Sequence, residues 1–178
     1  DRLEDLRAEH GERFRRMAME TVDARSAETA VHLAIKAFGR VDVAVANGGL
    51  AAVEAVEDVS DHSFRKQLES NFFDMVNLAR AVLPTMRQQG AGHIIPVSSM
   101  GGRNGMPGLA AYQSARWAVE GFCKVLAQEV APFGIKVSVI EPGGPHTCLT
   151  GAPVNFPPVS EPYQATVGML TGGLRARL

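Results

Sequence analysis

Apolar residues recur along this chain in two rhythms, one of three to four positions and one almost unbroken over five or six. The first marks amphipathic helices and the second marks strands buried inside a sheet. Leu3 and Leu6, followed by Gly11, predict a helix over residues 2–10. "RFRRMAME" (13–20) reads as a short strand. Val31, Ala34, Ile35 and Phe38 predict a helix from about Asp23 to Phe38, capped by Asp23 or Ser26 and stopped by Gly39. "VDVAVA" (41–46) predicts a strand that is apolar on both faces, and the small-residue loop "NGGLAA" follows it. Ser60 opens a long helix with Phe64, Leu68, Met75, Leu78, Val82 and Met86 turned inward and a kink expected at Pro84. "GHIIPVSS" (92–99) is a second strand, Tyr112 to Val130 a further helix, and "IKVSVIEPGG" (135–144) a third strand. Beyond Gly143 the chain turns proline-rich and loses its period.

Strand–helix alternation with short turns predicts an α/β, Rossmann-like doubly wound parallel sheet, covered on both faces and joined by right-handed crossovers. Ligands of such sheets sit beyond the carboxyl ends of the strands. Three such ends are legible, "ANGG", "SSMGG" and "EPGG", each small or polar enough for close approach. The 178 residues, 46% hydrophobic, fit one soluble domain or a part of one. A formal charge of −1 with scattered Lys and Arg argues against nucleic acid or an anionic membrane as partner. Two cysteines, Cys123 and Cys148, suggest neither a disulfide framework nor a zinc knuckle, and a cytoplasmic location is the expectation. The dispersed histidines show no metal-ligand spacing, and no apolar run approaches the roughly 20 residues of a membrane span. "DRLEDLRAEHGERFRR" is not a signal peptide, and Glu54, Glu57 and Asp58 read as solvated surface.

Chemistry concentrates in "LAAYQSARWAVEGF" (109–122), where Tyr112 and Arg116 stand one helical turn apart. The pair fits a cation acting on a phenol, or an ordinary surface contact. Its place decides between them, because Tyr112 opens the helix that follows the Ser98-Ser99 strand end. The sequence here resembles the short-chain dehydrogenase/reductase family. The resemblance is carried by "RVDVAVANGGL", "ESNFFDMVNLARAVLPTM", "GHIIPVSSMGGRNGMPGLAAYQSARWAVEGF" and "APFGIKVSVIEPGGPHT", in order and at the family's separations, over nearly the whole chain.

The resemblance implies a role for each matching residue. Tyr112 would be the general acid/base; a free phenol has a pKa of about 10, so a nearby cation is needed to bring it toward working pH. Ser99, rather than Ser98, would hydrogen-bond the substrate oxygen. Asn71 would hold a water on a proton path, or serve as a buried amide bonding backbone. Asn47, Gly48 and Gly49 would line the cofactor trough with Arg116 and Tyr112, and Pro142, Gly143 and Thr147 would lie over the nicotinamide. The cofactor implied is NAD or NADP and the reaction an alcohol–carbonyl interconversion. A homodimer or homotetramer is implied as well. The apolar stretch after Gly143, within a 143–178 segment read as a substrate lid, favours an apolar hydroxyl or carbonyl compound.

The departures from the pattern are specific. Arg116 stands at the family's lysine and keeps the charge, but an arginine does not pass a proton along a relay. Ala46 replaces an asparagine, Glu20 an aspartate, and Pro96 removes a ladder donor from a strand. No counterpart of the family's opening strand, Gly-rich turn, second strand or last strand is found in the sequence. The expectation is a portion of a longer protein that is unstable or non-functional alone. A catalytically impaired relative that binds a nucleotide or a partner is the alternative, and a fragment without function the third reading.

Overall fold

A computed structural model of the chain describes residues 2–19, 23–142 and 154–176. The helical rhythms form helices α1 (Arg2–His10), α2 (Ala24–Phe38), α3 (Asp61–Leu68), α4 (Asp74–Gln89), α5 (Ala110–Val130) and α6 (Met169–Arg175). Asp23 caps α2 by accepting the Arg25 N–H at 3.1 Å, and Gly39 ends it in the left-handed conformation at φ 79°. Ser60 caps α3 through the Ser63 N–H at 3.1 Å. The long helix predicted from Ser60 is interrupted by a π turn at Glu69–Phe73, and α4 then runs past the exposed Pro84 to Gln89.

The strands are β1 (Val43–Ala46), β2 (Ala51–Ala52), β3 (Gly92–Pro96), β4 (Ile135–Val137) and β5 (Val154–Asn155). β1, β3 and β4 form a parallel sheet in that order, with Ala44 opposite Ile94 and Ile94 opposite Val137. β2 and β5 pair separately, also in parallel. Pro96 has no N–H to give toward β4. The ladder therefore lacks a bond at the Ser138 carbonyl: β4 ends at Val137, and pairing resumes only as a single bridge between Val97 and Ile140.

The main core lies on the sheet face that presents Ala44, Ile94 and Ile135 to Val31 of α2, Met75, Val82 and Met86 of α4, and Val119 and Leu126 of α5. A second, smaller core gathers Ala51, Val53, Leu109, Tyr112, Val167 and Leu174.

Several expectations are corrected. Residues 14–19 of "RFRRMAME" carry no strand. The sheet is not covered on both faces at β1, because Val43 and Val45 are 53% and 55% exposed opposite the helices. Phe38 is also exposed, under the guanidinium of Arg15 rather than in the core. Glu54, Glu57 and Asp58 are not merely solvated: they accept hydrogen bonds from Ser63 Oγ, Tyr163 Oη and the Ser160 N–H respectively. Among the described residues no helix is long and apolar enough to cross a membrane.

Candidate functional site

The site is built where β1 and β3 end and α5 begins. Ser99 leaves β3 in extended conformation and caps a 3-10 turn at Met100–Gly102, its Oγ accepting the Gly101 N–H at 3.1 Å. The loop back to α5 is held by Gln113, which accepts the Met106 N–H at 2.7 Å and donates to the Asn104 carbonyl at 2.6 Å. A Cβ on Gly101 would touch both Ser99 Oγ and the Gln113 side chain, so the serine turn and the first turn of α5 are in contact. Gly108, at φ 79°, completes the loop; a Cβ there would meet Val53 and Val167 at 2.9 and 2.8 Å.

Tyr112 is 6% exposed on the first turn of α5, with the Arg116 guanidinium carbon 5.3 Å from its ring centroid. Arg116 is itself buried and donates to the carbonyls of Val97 at 3.1 Å and Gly48 at 3.2 Å. One side chain thereby ties the ends of β1 and β3, near the position where Ala46 offers no polar group. Gly49 is required by close approach, since a Cβ would lie 2.4 Å from an Arg116 nitrogen and 2.6 Å from Asn71 Oδ1.

Asn71 is 2% exposed in the π turn. Its amide donates to the carbonyls of Gln67 at 2.6 Å and Leu50 at 2.8 Å and accepts the Leu50 N–H at 3.2 Å. The loop after β1 is therefore fixed to the helix by the Asn71 side chain, bonded both ways to the Leu50 main chain. Of the residues named from sequence, Gly48, Gly49, Asn71, Tyr112 and Arg116 are brought together, with Ser99 on the adjoining turn. Asn47 and Gly48 are exposed at the strand end, and Pro142 is half-buried past β4. Gly143 and Thr147 lie outside the described residues.

Three residues of the site were not singled out from sequence. Gln67 accepts the Ala52 N–H at 3.0 Å, Gln113 holds the loop above, and Asp74 is 9% exposed beside Gly48. Gln67, Asn71 and Asp74 follow at helical spacing along one otherwise apolar stripe, which was the available signal.

Behind this constellation Arg103 Nε donates to Glu141 at 2.6 Å and holds that carboxyl below the usual range. Burial, together with the nearby Glu141 charge, pushes the Glu120 carboxyl up. Burial likewise pushes the Cys123 thiol up to about 12.

A nicotinamide dinucleotide fits the residues present: the strand end is open and small at Asn47 and Gly48, and Arg116 at its edge keeps guanidinium N–H groups beyond the two given to carbonyls.

Comparison with known proteins gives the family and the fold. A family model described as short chain dehydrogenase matches residues 1–154. The chain is 51% identical over 164 residues to "Oxidoreductase BOA17" of Botryotinia fuckeliana (strain B05.10), covering 92% of this chain and 60% of that one. The crystal structure of a short-chain dehydrogenase from Streptomyces avermitilis superposes with a TM-score of 0.88 at 34% identity, covering 97% of this chain and 64% of that one. A metagenomic short-chain oxidoreductase solved in complex with NADP superposes with a TM-score of 0.71 at 26% identity, covering 80% of this chain and 67% of that one. The chain thus spans about three fifths of the curated relative's length. With its parallel sheet flanked by helices, it belongs to the short-chain dehydrogenase family.

Proposed function

We propose that the chain carries the acid/base portion of a NAD- or NADP-dependent oxidoreductase that interconverts an alcohol and a ketone or aldehyde. The observation that carries the reading is the buried Tyr112 ring lying 5.3 Å from the Arg116 guanidinium at the carboxyl edge of a parallel sheet. Asn47, Gly48, Gly49, Arg116 and the Pro142–Gly143 turn with Thr147 would hold the dinucleotide, whose nicotinamide supplies or accepts the hydride when bound. Tyr112 gives its phenolic proton to the carbonyl oxygen during reduction and takes one from the alcohol during oxidation. Ser99 hydrogen-bonds the same oxygen, and Arg116 contributes a fixed positive charge beside the phenol rather than a proton. Asn71 keeps the loop after β1 in register with these groups and offers its amide to a water on the proton path.

The substrate side is apolar. Tyr112 shares an apolar cluster with Val53 and Val167, against which Val154 and Phe156 pack, and this supports a hydrophobic hydroxyl or carbonyl compound and a lid role for the segment after Gly143. Trp117 and Val125, more than half exposed on α5, support a homo-oligomer.

The test is turnover of the intact protein across alcohols and ketones with NAD and with NADP, followed by nicotinamide absorbance. Tyr112→Phe is expected to lower kcat by about 10²–10⁴-fold with the melting temperature unchanged. Equal turnover in the variant removes Tyr112 from the chemistry. The commitment of two Arg116 nitrogens to main-chain carbonyls favours one second reading, a relative that binds the dinucleotide without turning it over. Binding without turnover in either protein would establish that reading instead.

A further inference from the structure

Arg116 is a full positive charge placed inside the fold, 8% exposed. The two acceptors it meets are neutral carbonyls, and its buried Nε–H has no protein partner. Among the described residues no carboxylate lies within ion-pair distance of it. Carbonyl dipoles alone compensate a buried cation poorly, so the fold needs an anion within a short reach.

A buried carboxylate borders the same space. Asp74 is 9% exposed and shares with Gly48, Asn71, Pro96, Val97 and Arg116 a cavity of about 10 Å³. That is the room one water centre needs, given polar walls that supply two to four partners. Gly48 separates the charges: its absent Cβ would sit 2.5 Å from Asp74 Oδ2, while its carbonyl takes the Arg116 N–H. Any side chain at position 48 would push the carboxylate out of this corner.

We propose that Asp74 is the counter-charge of Arg116, linked to it by one internal water that accepts from the Arg116 Nε–H and donates to the Asp74 carboxylate. Asn71 supplies the water's third partner. Asp74 is thereby a positioning residue: it fixes where the guanidinium stands beneath the Tyr112 ring. The assignment concerns charge balance in this chain and holds whichever dinucleotide reading is right.

The test is a double-mutant cycle by equilibrium unfolding of the intact protein, with Asp74→Asn, Arg116→Met and the pair. Asp74→Asn alone leaves a buried cation without its anion and is expected to lower the folding equilibrium constant at least about tenfold more in the native background than in the Arg116→Met background. A single variant that fails to fold beside a double variant that folds is the same coupling at its extreme. Additive effects, or failure of the double as well, overturn the proposal. On the native protein, the Arg116 Nε–H resonance is expected to exchange slowly, to show a cross-peak to a long-lived water, and to shift and exchange rapidly in Asp74→Asn. Fast exchange in the native protein also overturns it. Neither readout uses turnover, so a failure here is distinct from a failure of the acid/base assignment.

Discussion

The two cores of this molecule are built differently. The main core joins long, periodic elements: strands of three to five residues under helices of fifteen to twenty-one residues, with Ile94, Ala79 and Met86 wholly buried. The second core joins fragments far apart in sequence. Its two paired strands have two residues each, and it is closed by Leu109, Tyr112 and the 154–176 segment. Hydrogen bonds from Tyr163 to Glu57 at 2.6 Å and from the Ser160 N–H to Asp58 at 3.1 Å fasten that segment down. Helix α5 runs through both, with Tyr112 in the smaller core and Val119 to Val130 in the larger. The difference separates two tasks: the larger core holds the sheet, and the smaller one, built from shorter elements and so with less local stability, encloses Tyr112, the proposed acid/base.

Three substitutions bear on this comparison. The largest effect is expected at the centre of the sheet, where Ile94→Ala should cost about 2–5 kcal/mol in denaturant unfolding, because the strand cannot collapse onto the space left. A cost well under 1 kcal/mol would mean that the sheet is not the stabilising unit. Next, Gly108→Ala places a Cβ at φ 79° within 2.9 Å of Val53 and Val167. It should cost about 1–3 kcal/mol, confined to the smaller core. Amide exchange is expected to speed up at Ala52 and Val53 while Ile94 stays protected; equal loss at both would join the two cores into one cooperative unit. The smallest effect is expected at Glu120, on α5 beside Ser98 and Glu141. Its carboxyl is raised in the folded state, so the stability it lends is present below the ordinary glutamate range and lost as pH rises through the raised value. Glu120→Gln should therefore melt higher than the native protein near neutral pH, and the gain should vanish below a pH of about 4. A gain that is constant with pH would sink this account.

What could be read from the sequence follows the same division. Asp23, Gly39 and Ser60 act through bonds to residues beside them in the chain, so the ends of α2 and α3 were legible. Strands β1 and β3 were legible from their β-branched runs. The face-to-face burial of β1 was not, because an apolar strand looks the same whether or not a layer covers Val43 and Val45. The π turn at Glu69–Phe73 was illegible too: it keeps its apolar residues, and only the bonds of Asn71 to Leu50 and Gln67 show why the helix widens there. At the site, Tyr112, Arg116 and Ser99 were identified by spacing and resemblance. The carbonyls that Arg116 reaches lie 19 and 68 residues away along the chain, and no local pattern records a partner at that distance. The same holds for Glu57 and Asp58, whose partners Tyr163 and Ser160 lie 106 and 102 residues away.

The missing donor at Pro96 gives the sheet edge a mechanical character. The Ser138 N–H reaches the Ile94 carbonyl at 3.0 Å, the Ile140 N–H reaches the Pro96 carbonyl at 2.9 Å, and the rung between them at the Ser138 carbonyl is empty. The last strand is thus fastened like a zip with one tooth gone. Beyond the gap Ile140 is held to β3 by two bonds of its own, its N–H to the Pro96 carbonyl and its carbonyl to the Ser98 N–H at 2.7 Å, apart from those that hold Ile135 to Val137. One proline in the neighbouring strand thus divides this edge into two separately fastened lengths.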